Sequence, residues 1–204
     1  KLSDYPVYMD NKDKGGYEVY KWTDSNANLM AWNFNLTIGD PVKREIFRDV
    51  RFRQAFSHAL NRDEINETQF FGLCTPMAAT AHPQSAFYKE EYANAFIEYD
   101  PTKSNSLLDE MGLTKRDGAG YRMMKDGNRL TITLEYPPET HTWAPPIVEL
   151  VKEYMQDIGI ELLIKADDRT LYGQRVANNE VEMNEWATVA FTNTIITDPR
   201  CFVP

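Results

Sequence analysis

The chain has 204 residues, 42% of them hydrophobic and 26% charged, a globular composition long enough to bury a core as one large domain or two small ones. With 31 acidic against 22 basic side chains the net charge is −9, which excludes a nucleic-acid partner, because phosphate binding needs clustered Lys and Arg. No stretch approaches the roughly 20 apolar residues of a membrane span, so no direct membrane insertion is expected of this segment.

The opening KLSDYPVYMDNKDKGGYE carries no apolar signal core, so the mature protein starts here or the chain is an excised piece. Leu29 to Asn35 reads as a strand with Trp32 and Phe34 on one face. Asp49 is a helix cap, followed by Phe52, Ala55, Phe56, Ala59 and Leu60 at helical spacing, with His58 on the polar side and solvated. Asn61 starts a second helix with Glu64 as its capping partner. Pro76 and Pro83 make Cys74 to Tyr92 an extended loop.

Asp100-Pro101 opens another helix, with Leu107, Leu108 and Met111 as its stripe and Gly112 as its stop. Tyr121–Lys125 and Leu130–Tyr136 read as a hairpin around Asp126-Gly127. Leu130, Ile132 and Leu134 alternate with Thr131, Thr133 and Glu135. Ile147, Leu150, Val151, Tyr154, Met155 and Ile158 mark an amphipathic helix, with Leu150 expected in the core. Ile160–Ile164 is the next strand, so this run is a βαβ unit with parallel strands. A short helix at Leu171–Ala177 and a strand between Val181 and Phe191 form a second unit, giving an α/β fold with a mixed sheet flanked by helices.

Chemistry is sparse. None of His58, His82 and His141 sits near another histidine or a cysteine at ligand spacing, so no metal and no cofactor is expected. Cys74 and Cys201 form no CxxC pair; they read as small buried hydrophobes, with a disulfide between them left open. Asp117-Gly-Ala-Gly120 lacks the alternating oxygens of a calcium loop and reads as a tight turn. Asp167-Asp168 sit where a helix begins and read as capping residues. His141 reads as a loop histidine, by default on the surface and otherwise on a cleft wall. Aromatic content remains: Trp22, Trp32, Trp143 and Trp186 with 11 Tyr and 10 Phe. Trp143 follows a strand, and Trp186 stands beside Asn184 and Glu185 at the end of another, where open α/β sheets bind ligands.

Four blocks then resemble a known family. They are FRDVRFRQAFSHALNRDEI (Phe47 to Ile65), the Gly72-to-Pro76 loop, YDPTKSNSLLDEMGL (Tyr99 to Leu113) with its following hairpin, and IVELVKEYMQDIGIELLI (Ile147 to Ile164). In order and spacing they are similar to the extracellular solute-binding proteins of family 5, the oligopeptide/dipeptide class. The resemblance implies the second lobe of a two-lobed, type II-like binding protein that closes over its ligand. Residues 1–35 are then the entry segment near the hinge and 36–204 the lobe, in a chain that is a fragment. It implies a substrate-binding component that works with ABC permease subunits outside the cell or in the periplasm, on a parent protein that can carry a lipid anchor, and no enzyme.

Peptide-binding members hold the ligand's α-ammonium with an aspartate after this last strand. Counted from Trp186 that position is Val189, and counted from Glu182 it is Phe191. An ammonium buried against either is costly, so the resemblance implies an oligosaccharide ahead of an oligopeptide, with Trp186, Asn184, Glu185, Arg169, Trp143 and Tyr136 as ligand-binding residues. The alternatives are a glycan- or peptide-processing hydrolase built on Glu185 or His141, and a binder of another solute such as a nickel complex or an opine.

Overall fold

The computed structural model describes residues 4–21 and 28–188; Trp22, Val189, Phe191 and Cys201 lie outside them. Its elements run α1 (Tyr5–Gly15), β1 (Asn28–Phe34), α2 (Pro41–Arg48), α3 (Val50–Ala59), α4 (Arg62–Phe70), α5 (Glu90–Ala93), α6 (Pro101–Glu110), β2 (Thr131–Tyr136), α7 (Ala144–Asp157), β3 (Glu161–Ala166), α8 (Arg169–Ala177) and β4 (Met183–Thr188).

The period-two alternation from Leu130 onward makes β2 the centre of the sheet. It pairs in parallel with β3 on one side and β4 on the other, and β1 adds antiparallel to β4, in the order β1-β4-β2-β3. Both expected βαβ units are therefore present, the second returning to the far side of β2. Because the register pairs Leu134 with Ile164 and Met183, and Met183 with Phe34, these residues share one face. That face is the core. Phe34 packs on Phe56 and Phe52 of α3 at ring-centroid distances of 5.0 and 5.2 Å. The other face carries Thr133, Glu135, Lys165, Asn184, Trp186 and Asn33, and α8 lies over part of it.

Helix α7 starts with Pro145 and Pro146 in its first turn, where a backbone N–H has no intrahelical partner to lose. Ile147, Val148, Val151, Tyr154 and Met155 are its buried arc. Leu150 is corrected from core to half-buried: it stands at the edge of that arc, and Val148 takes the interior place. The caps form as the side chains dictate. Asp49 accepts from the Arg51 N–H at 2.9 Å, Asp100 from Lys103 at 2.9 Å and Asn61 from Glu64 at 3.1 Å. Asp40-Pro41 repeats the Asp-Pro opening and starts α2, with Asp40 accepting from Val42 and Lys43.

Two expectations change. The turn at Asp126-Gly127 forms, with Gly127 at φ 85° donating to the Met124 carbonyl, but its first arm is reduced to isolated bridges at Arg122 and Met123. Arg122 is drawn inward instead and is 1% exposed. Its guanidinium reaches the Ile158 carbonyl at 2.8 Å, the Asn105 side chain at 2.7 Å and Asp109 at 2.5 Å, while its N–H donates to the Gly159 carbonyl. His58 is fully buried rather than solvated, because α3 packs on α6 and Nδ1 meets the Glu98 carbonyl at 3.1 Å. Asp117 closes the expected tight turn through the Ala119 and Tyr121 N–H groups. Cys74 is half-buried and has no disulfide partner among the described residues; Cys201 lies outside them.

Since Ile147 is fully buried and Leu150 is not, Ile147→Ala is expected to cost about 2–5 kcal/mol in denaturant unfolding. Leu150→Ala should cost less than half of that. Equal losses would show that the α7 arc is drawn wrongly.

Candidate functional site

Alternation along β4 sends Asn184 and Trp186 to the polar face and Met183 and Glu185 to the core face. Asp168 caps α8 by accepting from Thr170 and Leu171, as expected, whereas Asp167 is corrected from capping residue to a buried carboxylate that accepts from Lys165 at 2.9 Å. Arg169, Tyr172 and Val176 then follow at spacings of three and four and face the sheet. Tyr172 is buried and stacks on Trp186 with centroids 5.8 Å apart and planes 8° apart. The Arg169 guanidinium sits 4.5 Å from the Trp186 ring centroid and 6.0 Å from that of Tyr172. The Tyr172 hydroxyl accepts from Asn184 Nδ2 at 2.9 Å. Burial pushes this phenol up to about 12, so it stays protonated and a donor. Arg169, Tyr172, Gly173, Val176, Asn184 and Trp186 line an open groove of about 340 Å³.

Behind the groove lies a walled-in polar pair. Glu185 is 0% exposed, and its Oε2 lies 2.5 Å from His141 Nδ1. The imidazole stacks on Trp143 at 5.3 Å and 20°, and meets Trp186 at 4.8 Å. Glu185 Oε1 and Trp143 Nε1 are buried with no hydrogen-bond partner. Burial raises the Glu185 carboxyl above its ordinary value, and His141 pulls it back only in part. His141 is thus buried, not on the surface.

Of the six expected site residues, Trp186, Asn184 and Arg169 line the groove. Glu185 and Trp143 stand behind it around His141, and Tyr136 is buried in the core, its hydroxyl raised first by burial and then by Glu149 and Glu185. Tyr172 and His141 complete the cluster. Tyr172 was readable only as one position of a short helix; its place three residues after Arg169 behind the Asp168 cap was the available signal.

What fixes α8 is Glu135. Its carboxylate is 1% exposed and accepts from Arg175 Nε and Nη2 at 2.6 and 2.9 Å and from Lys165 at 3.2 Å. Burial alone would raise its pKa; Arg175 foremost holds it below the ordinary carboxylate value. The site as built presents an indole, a phenol, a guanidinium and an amide, a surface for stacking and hydrogen bonding. No cluster of metal-ligating side chains occurs among the described residues.

A model of the bacterial extracellular solute-binding proteins, family 5, matches residues 2–196. The chain is 34% identical to an oligopeptide-binding protein OppA of known structure, with a TM-score of 0.88, covering all of this chain and 32% of that one. It is 30% identical over 165 residues to a glutathione-binding protein GsiB of Salmonella choleraesuis, covering 76% of this chain and 28% of that protein. A mannohexaose-bound periplasmic protein of Thermotoga maritima shares the fold at 20% identity, with a TM-score of 0.71 over 93% of this chain and 36% of that one. The chain spans about a third or less of the length of these relatives.

The His141–Glu185 pair has a pH signature. A carboxyl with a raised folded pKa binds protons more readily folded than unfolded, so stability falls as pH rises from its ordinary 4.5 through the raised value. Glu185→Gln keeps the shape and a hydrogen bond to His141. Urea unfolding should find it more stable than the parent at pH 7, the gain shrinking toward pH 4. A variant less stable at pH 7 would make the pair a net favourable ion pair.

Proposed function

The chain belongs to the bacterial extracellular solute-binding proteins, family 5, and from that premise we propose that it forms one lobe of the two-lobed substrate-binding component of an ABC importer. It holds an oligomeric solute against the groove between α8 and β4, in a cleft completed by the rest of the protein. The entry segment is residues 1–35 and the lobe residues 36–204; β1 lies in the entry segment and completes the lobe's sheet through β4. The component works outside the membrane with permease subunits and does no chemistry on its ligand.

The observation that carries this reading is the division of the sheet: one face packed with apolar side chains, the other open and bearing Trp186, Tyr172 and Arg169 in a stack. Stacked rings offer a large rigid area at small conformational cost. Arg169 is the charged side chain lining the groove at Trp186, and Glu185 is turned into the interior. Among the described residues a free ammonium there meets a cation and no carboxylate, whereas hydroxyls meet guanidinium and amide. This supports an oligosaccharide. Two relatives, an oligopeptide-binding protein at 34% identity and a glutathione-binding protein at 30%, support an oligopeptide as the second reading. Against a hydrolase, Glu185 faces His141, whose ring lies against two indoles, rather than the groove.

Calorimetry on the full-length protein with di- to tetrasaccharides and short peptides tests this. Trp186→Ala should weaken ligand binding by more than about 1 kcal/mol and leave the unfolding midpoint nearly unchanged. Val189→Asp should favour peptides without improving sugars. Tight binding of unmodified peptides by the parent would overturn the sugar preference, unchanged affinity in Trp186→Ala the site, and turnover of ligand the non-catalytic assignment.

A further inference from the structure

The groove does not end at Trp186. A second hollow of about 210 Å³ continues it along α8 toward the helix's C-terminal end, and the two share Val176 and Asn184. Its walls are rich in amides: Asn33, Asn35, Asn179 and Asn184 line it. Two of these are already committed. Asn35 donates to Asn179 and to the Val181 carbonyl and accepts from Thr37, and Asn179 donates to the Thr37 carbonyl.

The other two are free to act. Asn33 and Asn184 are register partners across β1 and β4, so their side chains rise side by side from the same face. Asn33 is exposed, and its amide makes no hydrogen bond among the described residues. Asn184 spends one end of its amide on the Tyr172 hydroxyl, and its Oδ1 is buried with no partner. Turning the amide over does not help, since the phenol satisfies one end and the other is then orphaned. A buried polar atom left unpaired costs free energy, which a ligand hydrogen bond removes.

We propose that Asn33 and Asn184 are a second recognition point: a cross-strand amide pair that hydrogen-bonds the unit of the ligand adjoining the one at Trp186. Resting on the proposed binding function, this makes Asn33 a residue that sets ligand length. Asn33 stands two strand residues along and one strand across from Trp186, roughly 6.7 Å by 4.8 Å, so a single ring or residue at the indole reaches Asn184 at most and a longer oligomer reaches both. The pair is neutral and offers both donors and acceptors, which suits sugar hydroxyls or a peptide backbone; Glu182, which also lines the hollow, is already paired with Lys43 at 2.6 Å.

The test titrates the full-length protein with glucose through maltotetraose and with dialanine through tetraalanine, following tryptophan fluorescence, for the parent, Asn33→Ala and Trp186→Ala. Asn33→Ala should lose roughly fivefold in affinity, the worth of one net hydrogen bond, for the tri- and tetramers of whichever series binds, and nothing for its shortest binding member. Its unfolding midpoint should match the parent, since Asn33 is exposed. An Asn33→Ala variant with parental affinity at every length, or with the same loss at every length, overturns the proposal while the Trp186 reading stands. Failure of Trp186→Ala to weaken any ligand, or of both series to bind, overturns the site and this proposal with it. The series that responds names the ligand class.

Discussion

The Glu135 carboxylate holds the working side of this molecule together. Helix α8 has one buried residue, Tyr172, and hydrophobic burial of a single phenol does not orient a nine-residue helix. Two hydrogen bonds from Arg175 to one buried carboxylate do, because a guanidinium fork fixes angle as well as distance. Lys165 satisfies the same carboxylate from β3. Removing it would leave Lys165 to Asp167 and Arg175 to Glu180, neither of them on β2, and so loosen the tie that holds Arg169 and Tyr172 against Trp186.

The second constraint is Arg122. It is buried where α6, the 113–121 loop and the end of α7 converge, and it donates to carbonyls of all three: Asn105, Leu113 and Ile158. Helix ends are otherwise left with unsatisfied carbonyls when packed away from water. The charge is offset by Asp109. Gly159, at φ 80°, lies against it, with no room for a Cβ beside Arg116. The α7–β3 corner is thus held by polar contacts as well as by the buried Ile158 and Ile160.

Much of the fold was legible because its signals are local. Asp49, Asn61, Asp100 and Asp168 announce helices through their own side-chain chemistry, and the alternation from Leu130 to Glu135 announces a two-faced strand. Asp40-Pro41 carried the same signal and begins α2. What local pattern cannot give is the fate of a polar residue whose partner is distant. His58 meets a carbonyl 40 residues away and His141 a carboxylate 44 residues away, and both are buried for that reason. Trp186, Asn184 and Arg169 were legible as neighbours of a strand end. The grouping of Asn33 with Asn184 was not, because only the β1–β4 pairing brings them side by side.

The separation of the sheet into a packed face and a groove face also bears on how such a chain changes over evolutionary time. Asn33 and Arg169 are solvent-facing and Val176 is exposed, so replacing them leaves the interior volume untouched. On the proposed binding function, mutations there are nearly neutral for folding and act directly on ligand choice, while Phe34, Leu134 and Met183 directly beneath are held by the core. One scaffold can therefore drift from one solute to another through a few surface residues without first acquiring compensating stability.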